Sequence, residues 1–351
     1  FARFGLRLRP RRERLVGHTD LSQLYHEVLQ RLVGELIQSR QSWSDLSESE
    51  GKRRLARLTE QLGRQLRDEL MLSTARNRYL LAHVEKTLAL VAAAQSAAAS
   101  RGNFRPALVN LRYGPGEKIA GVTIQTPAGH QAILTGKIDR VDLLPDGSAA
   151  IIDYRLKPQS LNPTEAYHGL SLQLLTYLLV VEKTGSHLLK TGKLTPAGAF
   201  CVQLLRKIER DDPLDALDPS DPRFHLRRKP RGLFNGSIVS DLDSSLVEGT
   251  SEVIEHFIKK DGTPGARSDA ASAEQFEAIL RHVERRIGEL ADEIMAGRID
   301  IRPYRLGKDT PCSRCEFRSL CRLEPSPGCY DDLEPLNREQ LLDRAMQGRE
   351  K

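Results

Sequence analysis

Asp139 and Asp153 are the residues of this chain whose surroundings point most directly to chemistry. They lie in Gly136-Lys-Ile-Asp139-Arg-Val-Asp142 and Ile151-Ile-Asp153-Tyr-Arg155, separated by Pro145-Asp146-Gly147. Pro-Asp-Gly suits a three-residue hairpin loop with Gly147 in the left-handed conformation. If Leu144 pairs with Ser148, counting outward puts Asp139 directly opposite Asp153, and Lys137 opposite Arg155. Directly opposed side chains share a face, with Cβ atoms ~4.5–5.5 Å apart. Two carboxylates that close repel unless a cation neutralises them, and carboxylate oxygens suit Mg²⁺ or Mn²⁺. A two-residue loop would shift the register by one and send Asp153 to the other face. From the hairpin alone, a pair of idle acids at exposed strand ends is the other reading.

A second constellation is Cys312-Ser-Arg-Cys315 followed by Cys321, which has metal-ligand spacing. Three thiolates leave a tetrahedral site one ligand short, and by spacing alone zinc and an iron–sulfur cluster both fit. Cys329 is a further thiol nearby, at a spacing that does not match, and unligated thiols are the plain alternative. Cys201 falls in a predicted core strand and reads as a buried apolar residue. Gly185 and Gly192-Lys193 do not make a phosphate-cradling loop, because no Gly-x4-Gly-Lys-Ser/Thr is present.

The elements that would position these residues change character along the chain. From about Leu21 to Ala99, apolar residues recur at helical spacing, as in Leu24, Val28, Leu32 and Leu36, then Leu80, Val84, Leu88 and Val91. Short β-branched or alternating runs follow at Gly121–Thr126, Gln131–Leu144, Ser148–Leu156 and Ala199–Leu205. A helix over Pro163–Lys183, with Gly185 as its stop, separates the last two. Residues 206–265 are rich in Asp, Pro, Arg and Gly, and Glu274–Gly297 is a charged amphipathic helix. This order predicts an α/β fold with a mixed sheet flanked by helices. The divisions are a basic helical segment at 1–100, a core at 101–205, an irregular basic insertion at 206–270, and a helix with the cysteine segment at 271–351.

The chain has 351 residues, with 53 Lys+Arg against 47 Asp+Glu and a formal charge of +6. That length suits about two domains, and a hydrophobic fraction of 39% excludes a disordered, collagen-like or membrane-bundle chain. The longest central apolar run, Leu174–Val181, falls far short of the ~20 residues a spanning helix needs. The chain opens at Phe1 without Met or a signal sequence, so it reads as part of a longer protein. Five cysteines do not make a disulfide framework, which favours a reducing compartment. A pI near 9.1 and basic blocks at Arg3, Arg7, Arg9, Arg11, Arg12 and Arg14 and at Arg227, Arg228, Lys229 and Arg231 fit either solvated surface or contact with a DNA backbone.

Taken together, Gly136-Lys-Ile-Asp139-Arg-Val-Asp, Ile152-Asp153-Tyr154 and Gly169-Leu-Ser-Leu-Gln173-Leu-Leu-Thr-Tyr177 resemble the RecB-like branch of the PD-(D/E)XK nucleases. The likeness is to the C-terminal nuclease region of AddB-type subunits of bacterial ATP-dependent helicase–nucleases, and it runs over almost the whole chain, from Phe1-Ala-Arg-Phe-Gly-Leu-Arg-Leu to the late cysteines. The resemblance implies a restriction-endonuclease-like core and Mg²⁺- or Mn²⁺-dependent hydrolysis of DNA at double-strand ends, in the cytoplasm, with an AddA-type partner. It implies that His26 joins Asp139 and Asp153 at the metal and that Gln173 and Tyr177 act beside them. It also implies a [4Fe–4S] cluster held by Cys312, Cys315, Cys321 and a fourth cysteine before Phe1. The family motif asks for Lys two residues after the second acid, where this chain has Arg155. Arg keeps the charge but never serves as a base. A DNA-binding and assembly module silenced at Arg155 is therefore the alternative, unless Lys137, opposite Arg155, substitutes; Lys157 shares the face but lies ~6–7 Å further along the strand.

Overall fold

The computed structural model describes residues 6–7, 16–66, 70–117, 119–156, 161–188, 194–205, 219, 224–225, 228–265, 267–324, 326 and 328–348. Three helices come first: α1 (His18–Gln38), α2 (Glu48–Gln65) and α3 (Ala75–Arg101). Their N-termini are set by side chains that accept orphan amides: Asp20 from Gly17, Ser47 from Glu50 and Thr74 from Asn77. The predicted stripe Leu24, Val28, Leu32 and Leu36 on α1 is fully buried.

The central sheet is built from β1 (Arg105–Tyr113), β4 (Gly136–Leu143), β5 (Ser148–Arg155), β6 (Thr195–Gln203), β7 (Arg231–Asn235) and β10 (Ala270–Ala271), in that spatial order. The β1–β4, β4–β5 and β6–β7 pairs are antiparallel, and β5–β6 and β7–β10 are parallel. The parallel step from β5 to β6 requires a crossover, which α4 (Pro163–Tyr167) and α5 (Gln173–Leu188) provide. Side ladders form from β2 (Val122–Gln125) with β3 (Gln131–Leu134), and from β8 (Gly249–Thr250) with β9 (Phe257–Ile258).

Alternation along the strands feeds two cores. Ala150, Ile152 and Tyr154 of β5 pack on one face against α1, α2 and α3. Ala149 and Ile151 pack on the other against α5 and the long helix α6 (Ala273–Met295). The sheet is thus sandwiched between helical layers, as expected of an α/β core.

Several sequence expectations need correction. The run 131–144 is two strands, broken at Thr135, of which only β4 joins the central sheet. The helix expected over 163–183 is two helices with a break at His168–Leu172, and it continues past Gly185 to Leu188. Gly185 is no stop signal: a Cβ there would meet Leu194 Cβ at 2.5 Å, so the glycine admits close packing of Leu194. Strand β1 was not anticipated, and β6 starts at Thr195 rather than Ala199. Nor is 206–270 simply an insertion, since it carries β7 and ends on β10. No helix among the described residues is long and apolar enough to cross a membrane.

Candidate active site

The hairpin forms as the turn chemistry predicts. Gly147 has φ +87°, Gly147 donates to the Leu144 carbonyl at 3.1 Å, and Leu144 donates to the Ser148 carbonyl at 2.9 Å. The β4–β5 register runs from Leu143 opposite Ala149 to Arg140 opposite Ile152. One step further, at Asp139 and Asp153, a side chain replaces the backbone ladder: the Tyr154 amide donates to Asp139 Oδ2 at 3.2 Å.

The strand is distorted at the same point. Ile138 and Val141 lie in one core cluster although regular alternation would send them to opposite faces. On the neighbouring strand the register puts Asn110 across from Asp139, and Asn110 has φ +53°. Asn tolerates the left-handed region better than most residues. This irregularity was not legible from the sequence, and it lies on the wall of the site.

Asp139, Asp153, His26, Lys137, Arg155, Gln173 and Tyr177 all line one cleft of about 1300 Å³. It is bounded by α1, the ends of β1, β4 and β5, and the start of α5. The sequence-predicted residues are therefore brought together, with the exception of Lys157, which lies outside the described residues.

His26 is held at both ring nitrogens. Nδ1 lies 2.7 Å from the Ser22 carbonyl, and Nε2 lies 2.8 Å from the Tyr154 carbonyl and 3.4 Å from Asp139 Oδ2. Two carbonyls and a carboxylate around one ring favour the doubly protonated form. Burial pulls the imidazole pKa down, but the hydrogen bond and charge of Asp139, together with the Ser22 and Tyr154 carbonyls, outweigh it and hold it above its ordinary value.

The two acids are pushed apart electrostatically. Burial raises Asp139, but His26, the Tyr154 amide and Lys137 more than compensate and hold it below the usual carboxylate range. Asp153 is raised, chiefly by burial, with the Asp139 charge adding to it and Arg155 opposing it. Arg155 Nε donates to Asp153, and its Nη2 donates to Gln173 Oε1. Gln173 in turn donates to the Tyr177 hydroxyl, whose pKa burial pushes up to about 12. The Gln173/Tyr177 pair on one face of α5 thus carries the Asp153–Arg155 contact into the helix.

Tyr154 is the residue that sequence reasoning missed. Its backbone serves both Asp139 and His26, while its side chain points through to the opposite face. There its hydroxyl accepts from Arg140 Nη1 at 2.6 Å, and Arg140 makes two 2.7 Å hydrogen bonds to Asp142. Arg140 also packs against the Trp43 ring, 5.5 Å from its centre. All four side chains are buried. The Asp-Arg-Val-Asp string contains this brace, but only the fold shows that its second acid turns away from the cleft.

The donor set suits an oxygen-preferring divalent cation: two carboxylates on adjacent strands, one of them raised chiefly by burial with the other's charge adding to it, and an imidazole beside them. Among the described residues, no three His, Cys, Asp or Glu side chains already form a cage. The positive groups His26, Lys137 and Arg155 neutralise the acids instead.

The cysteines lie apart from this cleft. Cys312, Cys315 and Cys321 line one small cavity of about 50 Å³ with Arg318, Leu323 and Tyr330, without closing into a metal group. Cys201 is buried, as expected, and burial pushes its thiol up to about 12. Of the basic blocks, Arg3, Arg9, Arg11, Arg12, Arg14 and Arg227 lie outside the described residues. Arg231 is committed to Asp269 through two hydrogen bonds, and Arg228 lies over the Phe224 ring. Two residues of the second block, Arg228 and Arg231, thus have partners within the fold.

Comparison with known proteins agrees with this geometry. The model of the PD-(D/E)XK nuclease superfamily matches residues 1–322. The chain belongs to that superfamily. The B-type subunit of the ATP-dependent helicase/deoxyribonuclease of Symbiobacterium thermophilum is 33% identical over 98% of this chain and 30% of its own length. The subunits of the same name from Bacillus licheniformis and Bacillus subtilis are each 30% identical, over 98% and 93% of this chain and 30% and 28% of their own lengths. The chain thus spans under a third of these relatives.

Proposed function

We propose that this chain is the nuclease domain of an AddB-type helicase–nuclease subunit, hydrolysing phosphodiester bonds at double-strand DNA ends in the cytoplasm during recombinational repair. The observation that carries the reading is the meeting of Asp139, Asp153 and His26 in one cleft beside Arg155 and Lys137. A bound Mg²⁺ or Mn²⁺ would neutralise phosphate charge and lower the pKa of a water molecule there. The chain's own part is to hold Asp139 through Tyr154, to hold Asp153 through Arg155 and Gln173, and to offer cations to the phosphate. Asp139, Asp153 and His26 are the residues that would hold the ion.

The partner in this reading is an AddA-type helicase–nuclease subunit, in keeping with the helicase/deoxyribonuclease names of the relatives. We assign Cys312, Cys315 and Cys321 as three ligands of a [4Fe–4S] cluster because the resemblance implies one; their spacing and shared cavity fit a metal site of this kind or a zinc site. The cluster would act as a structural staple of the C-terminal segment.

A second reading keeps DNA binding and removes cleavage. It rests on Arg155, whose guanidinium grips Asp153 where the motif has an ammonium. The test is Mg²⁺-dependent degradation of linear DNA by the full-length protein, beside its Asp153→Ala variant. Loss of cleavage in the variant supports the hydrolase. Equal rates in both, with salt-sensitive DNA binding retained, favour the silent module.

A further inference from the structure

We propose that Lys137 supplies the mobile positive charge that meets the reacting phosphate. This rests on the nuclease reading above. Besides the His26 imidazole, four Lys and Arg side chains line the cleft among the described residues: Arg31, Arg112, Lys137 and Arg155. Arg155, although it occupies the motif position, is committed to Asp153 and Gln173. Moving it onto a phosphate would strip a buried carboxylate of its partner, which is costly. Arg31 and Arg112 are exposed and make no ion pair with either acid.

Lys137 differs from all three. Its Nζ lies 3.7 Å from Asp139 Oδ1, near enough for charge attraction but beyond hydrogen-bond range. It addresses the carboxylate oxygen that His26 and the Tyr154 amide leave unused, since both of those engage Oδ2. Its side chain is 38% exposed, and a four-carbon stem with three rotatable donors can follow a phosphate that a planar guanidinium locked in two hydrogen bonds cannot. Lys137 therefore reaches the acid pair from the neighbouring strand, doing from β4 what the motif lysine does from β5. It makes and breaks no bond. In the hydrolysis, water oxygen adds to phosphorus, one P–O ester bond breaks, and the leaving oxygen takes up a proton. Lys137 offsets the negative charge that builds on the non-bridging oxygens.

The experiment uses the full-length protein and linear DNA with Mg²⁺, with the Asp139→Ala/Asp153→Ala double variant as the background to be subtracted. Lys137→Met removes the charge with little change of shape, Lys137→Gln is the second neutral variant, and Lys137→Arg retains the charge. Thermal unfolding identifies any variant that has lost its fold. We expect both neutral variants to lower kcat by about 10²–10³-fold, the size of losing one charge-stabilising donor, with KM for DNA little changed. Lys137→Arg should recover part of the rate. Mn²⁺ affinity, read by electron paramagnetic resonance without DNA, should not fall in the neutral variants. Rates equal to the parent's, or Mn²⁺ affinity falling in step with kcat, would overturn the assignment. If the parent itself does not exceed the double-variant background, the nuclease reading fails first and the role of Lys137 with it.

Discussion

Asp139 and Tyr154 are joined across the end of the β4–β5 ladder, the Tyr154 amide donating to Asp139 Oδ2 at 3.2 Å. The carbonyl of the same tyrosine lies 2.8 Å from His26 Nε2. One peptide neighbourhood thus fixes a candidate metal ligand from β4 and another from α1, immediately after Asp153. The tyrosine's own position is fixed from behind by Arg140, Asp142 and Trp43.

Breaking that brace should cost stability in graded amounts. Asp142→Ala leaves Arg140 buried without its counter-charge, and about 3–5 kcal/mol is expected. Tyr154→Phe removes one hydrogen bond to a charged group and should cost about 1–3 kcal/mol. Urea denaturation of both variants checks the order. Equal or negligible losses would mean that the buried network does not brace the strand ends.

At Arg155 the expectation concerns rate rather than stability. Arg155→Lys replaces a guanidinium held by Asp153 and Gln173 with a compact ammonium. Cleavage of linear DNA should be retained or raised. Its abolition in a folded variant would show that Arg155 is not at the motif position.

Metal capture should depend on pH in two stages. His26 is raised above its ordinary value of ~6.5, so its proton must leave first, and affinity for Mn²⁺ falls as pH drops through that raised value. Asp153 is also raised, from an ordinary ~3.9, and imposes a second loss further into acid. Asp139, lowered, gives up its charge last. Mn²⁺ titrations from about pH 8 to pH 5 should therefore slope near neutrality, and His26→Gln should flatten that part of the curve. An unchanged slope in the variant would remove His26 from the ligand set.

Much of this was legible in the sequence because the deciding signals were local. Pro145-Asp146-Gly147 set the loop, the loop set the register, and the register brought Asp139 to Asp153. The stripe on α1 placed its buried face, and the i, i+4 spacing of Gln173 and Tyr177 placed them side by side. What escaped depends on contacts distant in sequence. The break at Thr135 and the distortion at Asn110 answer to neighbouring strands. Gly185 reads as a stop but serves Leu194, because a glycine's role in packing leaves no mark on local periodicity. The commitment of Arg231 to Asp269 likewise lies in the fold, where a run of basic residues looks uniform.

For the cysteines, anaerobically purified full-length protein should contain iron and acid-labile sulfide rather than zinc. Substituting Ala for Cys315 should lower both and reduce stability, since the thiolates would tie the C-terminal segment together. Zinc in place of iron would reassign the site, and neither metal would leave free thiols.

The most direct measurement is the location of a divalent ion. Crystals of the full-length protein soaked in Mn²⁺, examined by anomalous scattering, should show the ion between the carboxylates of Asp139 and Asp153. A manganese peak elsewhere, with those two acids still paired only to His26, Lys137 and Arg155, would contradict the account.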